Sequence, residues 1–228
     1  MTAMKPQPKN QPKRHRIFLV EDHPITREGF AQLINYQKDL LVCGQAGLAA
    51  KAMVGIDTVK PDLVVVDISL TESNGLELIK DIKSRYPALP TLVLSTHDES
   101  LYAERALRAG AKGYVMKQAP TSEVMAAIRQ VLDGQLYLSE PMRSTMVQKH
   151  LHGPSVVVSS EADLLTDREL EVFRLIGAGQ TTRRIAARMH LSVSTVETHR
   201  ARIKQKLKLT NAMELVRRAI EFEATQRK

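Results

Sequence analysis

The sequence predicts an α/β fold, a five-stranded parallel sheet wound on both faces by helices, followed by a smaller all-α domain. Three observations carry this. Short apolar runs alternate with helical patterns five times between residues 17 and 132, an order that calls for parallel strands joined by helical crossovers. One of those runs, Leu63-Val64-Val65-Val66, has four bulky apolar residues in succession, the pattern of a strand buried on both faces. From Leu165 onward every pattern is helical, with no strand candidate.

The strand candidates are Ile17–Glu21, Leu40–Gln45, Leu63–Asp67, Thr91–Ser95 and Gly113–Lys117. Helical stretches at Ile25–Tyr36, Ala49–Lys60, Gly75–Tyr86 and Ser100–Ala109 lie between them, and Ser122–Leu132 follows the last strand. The crossovers should be right-handed, and the doubly wound strand order is 2-1-3-4-5. Gly134 breaks the alternation. Residues 135–162, with Pro141, Gly153 and Pro154, read as a linker holding a short helix around Met142–His150. Residues 1–15 read as a disordered basic tail, residues 16–134 as the first domain, and residues 163–228 as the second.

The chain has 228 residues, 43% of them hydrophobic, enough for two packed cores. No apolar stretch is long enough to span a bilayer, and Met1–Arg16 lacks the apolar segment of a secretory signal. The single cysteine, Cys43, excludes an internal disulfide and a cysteine-based zinc site, and reads as a small core residue on a strand. A cytoplasmic location with no membrane association is expected. The net charge of +8 is unevenly spread. Residues 17–150 carry 14 basic and 16 acidic residues, whereas residues 160–228 carry 14 and 9. A basic second domain behind an acidic first one points to nucleic acid at the C-terminal part.

The first domain concentrates chemistry at its strand ends. The first strand ends in Glu21-Asp22, the third in Asp67, the fourth in Ser95 and the fifth in Lys117. In an open α/β sheet ligands bind outside the carboxyl ends of the strands, at the switch point that strands one and three flank. Three neighbouring carboxylates repel and call for a cation. Oxygen-only ligands with room for water suit Mg²⁺. A lysine and a serine hydroxyl would then meet an incoming anion such as a phosphoryl group. The set reads as a Mg²⁺-assisted phosphoryl acceptor with Asp67 as nucleophile.

Glu21-Asp22-His23, Asp67-Ile68-Ser69-Leu70 with Asn74-Gly75, Leu94-Ser95, and Gly113-Tyr114-Val115-Met116-Lys117 resemble the flavodoxin-like receiver domain of bacterial response regulators. The resemblance implies that a sensor histidine kinase donates a phosphoryl group to Asp67. It also implies that Glu21, Asp22, Asp67 and the backbone carbonyl of Ser69 hold Mg²⁺, and that Ser95 and Lys117 bind phosphoryl oxygens. Tyr114 resembles the family's aromatic switch residue, which turns inward on activation. Thr71, Thr96 and Gln118 stand where the family usually has Pro, often Ala and in many members Pro; these departures bear on dephosphorylation rate and loop geometry.

In the second domain, Thr166 and Glu169 form the Thr-x-x-Glu capping box that opens a helix, and Gly177–Gly179 ends it. A second helix, Arg183–Met189, a tight turn, and a third helix, Ser194–Leu207, follow, with Ser192 as N-cap. The third helix sets Val196, Ile203 and Leu207 on one stripe. Its other face presents Ser194, Glu197, Thr198, Ala201 and basic side chains. This is a helix-turn-helix pattern. Leu165-Thr166-x-Arg168-Glu169-x-Glu171-Val172, Ile185-Ala186 and Leu191-Ser192-x-x-Thr195-Val196-Glu197-Thr198-His199-Arg200 resemble the LuxR-type DNA-binding domain, with the motif at residues 182–201. Together with the receiver, the chain resembles the NarL/FixJ response regulators. That resemblance implies double-stranded promoter DNA met by Thr182, Arg184, Ser194, Thr195, Glu197, Thr198, Arg200, Ala201, Arg202 and Lys206. Glu197, Thr198 and Ala201 would face the major groove, and Arg200, Arg202 and Lys206 mostly phosphates. Glu197 is suited to accept from a cytosine amino group or to orient an arginine. Arg184 stands where the family usually has Glu, which leaves half a capping box with Thr181. The last helix, Asn211–Glu223, would carry dimer contacts.

The expectation is a two-component transcriptional regulator, not an enzyme beyond its own dephosphorylation, with RNA polymerase as a further partner. The unphosphorylated receiver is expected to occlude or misorient the helix-turn-helix, and phosphorylation to release it and form a homodimer. Rival readings are an α/β phosphohydrolase, although Ser69 stands where such enzymes carry a second acid; a LuxR-type regulator whose first domain works independently of phosphorylation; and a receiver acting through protein contacts alone.

Overall fold

The computed structural model describes residues 14–70, 74–152 and 161–225; the basic tail expected at 1–15 falls almost wholly outside them, as does Thr71. Its first domain forms around strands whose alternate residues face opposite layers. These are β1 (His15–Val20), β2 (Leu40–Ala46), β3 (Leu63–Val66), β4 (Thr91–Ser95) and β5 (Gly113–Met116), all parallel in the order β2-β1-β3-β4-β5. Leu63–Val66 is buried at every position, as four consecutive branched residues require. Ile17, Leu19, Leu63 and Val65 share one core with Ala31 and Ile34 of α1 (Pro24–Asn35) and Val124 and Ile128 of α5 (Thr121–Leu132). Phe18, Val20, Val64 and Val66 face the other. There they meet Ile56 of α2 (Ala49–Val59), Ile79 of α3 (Gly75–Arg85) and Ala103 and Ala106 of α4 (Glu99–Ala109). Phe18 lies so close to Gly55 that a Cβ there would sit 2.6 Å from its ring.

Two expectations change here. Cys43 is only half-buried: its Sγ lies 3.4 Å from the Ile17 carbonyl, where the β1–β2 register shifts. The linker also does more than connect. Tyr137 donates its N–H to Lys112 O (3.0 Å) and accepts from Tyr114 N–H (3.1 Å), covering the open edge of β5. The linker helix α6 (Glu140–His152) follows, and Gly153 and Pro154 lie outside the described residues.

The second domain is helical throughout: α7 (Glu161–Leu164), α8 (Asp167–Gly177), α9 (Thr182–Arg188), α10 (Val193–Lys206) and α11 (Ala212–Thr225). Both arms of the Thr166–Glu169 capping box form. Thr181 and Ser192 accept from the backbone N–H of Arg184 and Thr195 as N-caps of α9 and α10. Gly179 adopts φ +75° just after α8, the left-handed residue that stops the helix. Leu170, Phe173, Ile185, Val196, Ile203, Leu215 and Ala219 close the core, and this apolar cluster is continuous with the α2–α4 face of the sheet.

Candidate phosphoacceptor site and nucleic-acid interface

Strand order reverses between β1 and β3, and the last ladder bonds there fix the residues that follow. Asp67 N–H donates to Val20 O at 2.9 Å, Lys117 N–H to Ser95 O at 2.8 Å, and Glu21 N–H to Ala46 O at 3.0 Å. Glu21, Asp67 and Ser95 are 1%, 2% and 0% exposed, so each is desolvated where backbone pairing ends. Lys117 meets two of them: its Nζ donates to Asp67 Oδ2 at 2.8 Å and to Glu21 Oε2. Burial works against the Lys117 charge, but the two carboxylates outweigh it and hold its pKa above the usual lysine value. Asp67 Oδ1 is buried with no hydrogen-bond partner, a costly arrangement for a carboxylate oxygen unless a ligand uses it.

Glu21, Asp22 and His23 bring one ligand atom each within 4.8 Å of one another. His23 Nδ1 lies 2.8 Å from Asp22 Oδ1 and 3.2 Å from Glu21 Oε1. The carboxylate oxygens of Glu21 and Asp22 in this cluster are hard donors of the kind that fits a divalent cation. Gly75 packs against the acceptor loop, where a Cβ would lie 2.1 Å from Asp67 O; only glycine leaves this turn its closeness.

Ser69 and His97 stand two residues beyond Asp67 and Ser95, and join the two loops: Ser69 Oγ is 2.8 Å from His97 Nε2. His97 N–H donates to Ser95 Oγ at 3.2 Å. Tyr114 is fully buried and donates its hydroxyl to His97 O at 2.8 Å; burial pushes its phenol pKa up. The side expected to turn inward on activation is therefore already inward.

In the helix-turn-helix, α10 presents Ser194, Glu197, Thr198, Ala201 and Arg202 to solvent. Glu197 is held from two sides: Thr182 Oγ1 donates to it at 3.0 Å, and Arg200 Nε lies 3.5 Å away. Glu197 therefore sits where it can steer Arg200. Ser192 Oγ gathers the hydroxyls of Ser194 (2.7 Å) and Thr195 (2.8 Å) at the helix start. Arg184 is exposed. Lys206 also pairs within the domain: its Nζ donates to Glu169 Oε2 at 2.6 Å, a carboxylate 2% exposed, while the lysine itself stays exposed.

Residues 17–129 match the family model of the response regulator receiver domain, and residues 163–219 that of the luxR family of bacterial regulatory proteins. The oxygen regulatory protein NreC of Staphylococcus haemolyticus is 32% identical over 210 residues, which span 90% of this chain and 97% of that protein. The chain belongs to the NarL/FixJ family of response regulators. Among solved structures, a LuxR-family two-component response regulator from Aurantimonas sp. SI85-9A1 is 32% identical. It covers 61% of this chain and 99% of its own, with a TM-score of 0.57. RcsB from Salmonella enterica serovar Typhimurium, bound to a promoter in the presence of phosphomimetic BeF3-, shares the fold. It is 21% identical, covers 91% of this chain and 98% of its own, and has a TM-score of 0.63.

In this response regulator α8 lies against the receiver. Arg105 of α4 donates to Asp167 Oδ1 (2.8 Å), Leu165 O (2.9 Å) and Ala162 O. Lys80 reaches Asp167 at 3.3 Å, and Asn74 Nδ2 reaches Glu171 Oε2 at 3.5 Å. Arg174 Nη1 lies 2.7 Å from His97 Nδ1, and its guanidinium sits over the Tyr102 ring, 5.7 Å from the centroid. Burial, then the Arg174 charge, takes the His97 pKa down to about 4. Docking leaves Ser194, Glu197, Thr198, Ala201 and Arg202 of α10 exposed to solvent, so α8 and the receiver do not bury this face, and the contacts of α8 set its orientation. Sequence reasoning missed His97, Arg105 and Arg174. Their hydrogen-bond partners across the two domains lie 57 to 77 residues away, a separation that leaves no local pattern.

Proposed function

We propose that this regulator takes a phosphoryl group on Asp67 from a sensor histidine kinase in the cytoplasm and, in response, controls transcription by binding double-stranded promoter DNA as a homodimer. The observation that carries the reading is Asp67 itself: buried, one oxygen on Lys117, the other without a partner, in a chain that also presents a recognition helix to solvent. Glu21, Asp22, Asp67 and the Ser69 carbonyl would hold Mg²⁺, which when bound neutralises the charge gathered on the phosphoryl group. Lys117 keeps a cation at one phosphoryl oxygen, Ser95 offers a hydroxyl to another, and the buried walls exclude water. Asp67 is a phosphoryl acceptor that returns to its free form by hydrolysis, not a turnover enzyme. RcsB, of the same fold, binds promoter DNA. On this chain Arg200 and Arg202 would meet phosphates and Thr198 and Ala201 the base edges, and RNA polymerase is the partner that promoter binding implies.

The test is selection of bound fragments from genomic DNA with and without a phosphodonor. Enrichment of a common sequence supports the reading, and no enrichment in either state sinks it. One observation favours a phosphorylation-independent receiver: Tyr114 is already buried and the recognition face already exposed. Asp67→Asn decides between the two. Unchanged DNA binding with and without phosphodonor would select the second.

A further inference from the structure

Side chains link the acceptor loop that follows Asp67 to the DNA-binding domain in a polar chain. Arg174 of α8 meets His97 Nδ1 at 2.7 Å, and His97 Nε2 meets Ser69 Oγ at 2.8 Å. A guanidinium has only donors, so His97 Nδ1 accepts, and the ring proton sits on Nε2 and is donated to Ser69. The tautomer is thus assigned by a residue of the other domain. Ser69 is two residues past Asp67 and His97 two residues past Ser95, so their bond ties together the β3–α3 and β4–α4 loops that flank the acceptor. The imidazole is clamped in turn, stacked on Tyr102 with centroids 4.7 Å apart, its own carbonyl accepting from Tyr114.

From this geometry we infer that Arg174 is a positioning residue for the phosphoacceptor site: through His97 and Ser69 it holds the two loops drawn together and slows entry of a phosphodonor to Asp67. The inference rests on the reading of Asp67 as acceptor. It adds that the DNA-binding domain governs how readily its own receiver is charged. Whatever draws α8 away from His97 should then speed phosphorylation, and to the extent that the contact also disfavours the phosphorylated state at equilibrium, phosphorylation loosens α8 in return.

Phosphoramidate tests this without a kinase. An Asp67 carboxylate oxygen attacks phosphorus and forms the O–P bond. The P–N bond of the donor breaks, and nitrogen leaves as ammonia, already carrying its proton. The full-length protein with Mg²⁺ and phosphoramidate is sampled over time on a gel that retards phosphoprotein, for wild type, Arg174→Ala, His97→Ala, the double variant and Arg105→Ala. Arg105 holds the same interface through Asp167, Leu165 O and Ala162 O but does not touch His97, so it separates the relay from docking in general. We expect Arg174→Ala and His97→Ala each to raise the rate about fivefold, the double variant no further, and Arg105→Ala to change it by under twofold. Arg174→Lys, which keeps a donor for His97, should restore most of the wild-type rate. His97→Ala also keeps the test valid if loss of the Arg174–Glu223 pair (2.6 Å) unsettles the second domain. Equal rates across the set, or Arg105→Ala matching Arg174→Ala, would overturn the relay while leaving Asp67 as acceptor. Failure of the wild type to take up phosphate at all, with Asp67→Asn as the blank, would sink the acceptor reading and the inference with it.

Discussion

Replacing Lys117 with methionine probes the charge balance of the receiver most directly. Its ammonium is the shared cation of Glu21 and Asp67, carboxylates 1% and 2% exposed. Methionine keeps the volume of the stem and removes the charge, leaving two desolvated anions facing the same gap. Removing one partner of a buried pair costs about 3–5 kcal/mol. The Lys117 side chain is itself 11% exposed, so water enters the vacated space and the lower end, about 3 kcal/mol, is expected. Asp67→Asn alone leaves Lys117 and Glu21 as a one-to-one pair and should change stability by under about 1 kcal/mol. Adding Asp67→Asn to Lys117→Met removes one of the two stranded charges and should return at least half the loss, the non-additivity expected of groups in contact. Urea unfolding of all four proteins in EDTA measures this. Repetition in Mg²⁺ at ten times its dissociation constant should stabilise the wild type by about 1.4 kcal/mol and Asp67→Asn by less. If the losses simply add, the two carboxylates do not feel each other through Lys117 and the electrostatic account of the site is wrong.

Other expectations are narrower. Arg129 hydrogen-bonds Asp39 and takes its pKa down to about 2, below the unfolded value of about 3.9. Its stabilisation is therefore present above about pH 4 and lost as pH falls towards 2; with both groups over 40% exposed it amounts to under about 1 kcal/mol and fades with salt. Arg129→Gln should flatten the melting temperature between pH 4 and 2, and an unaltered pH profile would refute the assignment. Gly55→Ala pushes a methyl against the buried Phe18 ring and should cost about 1–3 kcal/mol in thermal unfolding, much of it regained with Phe18→Leu; a neutral effect would mean that β1 shifts freely. Ser192→Ala removes the N-cap of α10 and should cost about 1 kcal/mol of stability. Operator binding should then weaken with its salt dependence intact, whereas Arg202→Ala should lower the salt slope by about 1. Equal slopes in the two variants would place Arg202 off the phosphates.

Asp67, Glu21, Ser95 and Lys117 were legible because a strand buried on both faces announces where it ends, and parallel strands all end on one side. The caps at Thr166, Thr181 and Ser192 were legible because their partners lie three residues on. Tyr137 was not: a single bridge on a sheet edge has no periodicity to detect. Helix α7, four residues long, is too short to show a helical stripe. The pairing of Lys206 with Glu169 was not legible either, because composition records a charge but not its partner, and Glu169 lies 37 residues earlier. The inward Tyr114 and the Arg174–His97 contact depend on how two domains pack, which no local window contains.

Helix α8 has a consequence for reading frame on DNA. Near its start Glu169 grips Lys206 at the far end of α10, in its last turn Arg174 touches the receiver, and the same Arg174 holds Glu223 of α11. The recognition helix is therefore tied to α8 by this pair and by their shared core. A tilt of about 10° acting over the roughly 21 Å of a 14-residue helix carries its end about 4 Å, against a rise of about 3.4 Å per base pair. An angular change too small to look like domain opening is enough to shift the helix by one rung of the double helix, and so to change which operator spacing two such subunits can share.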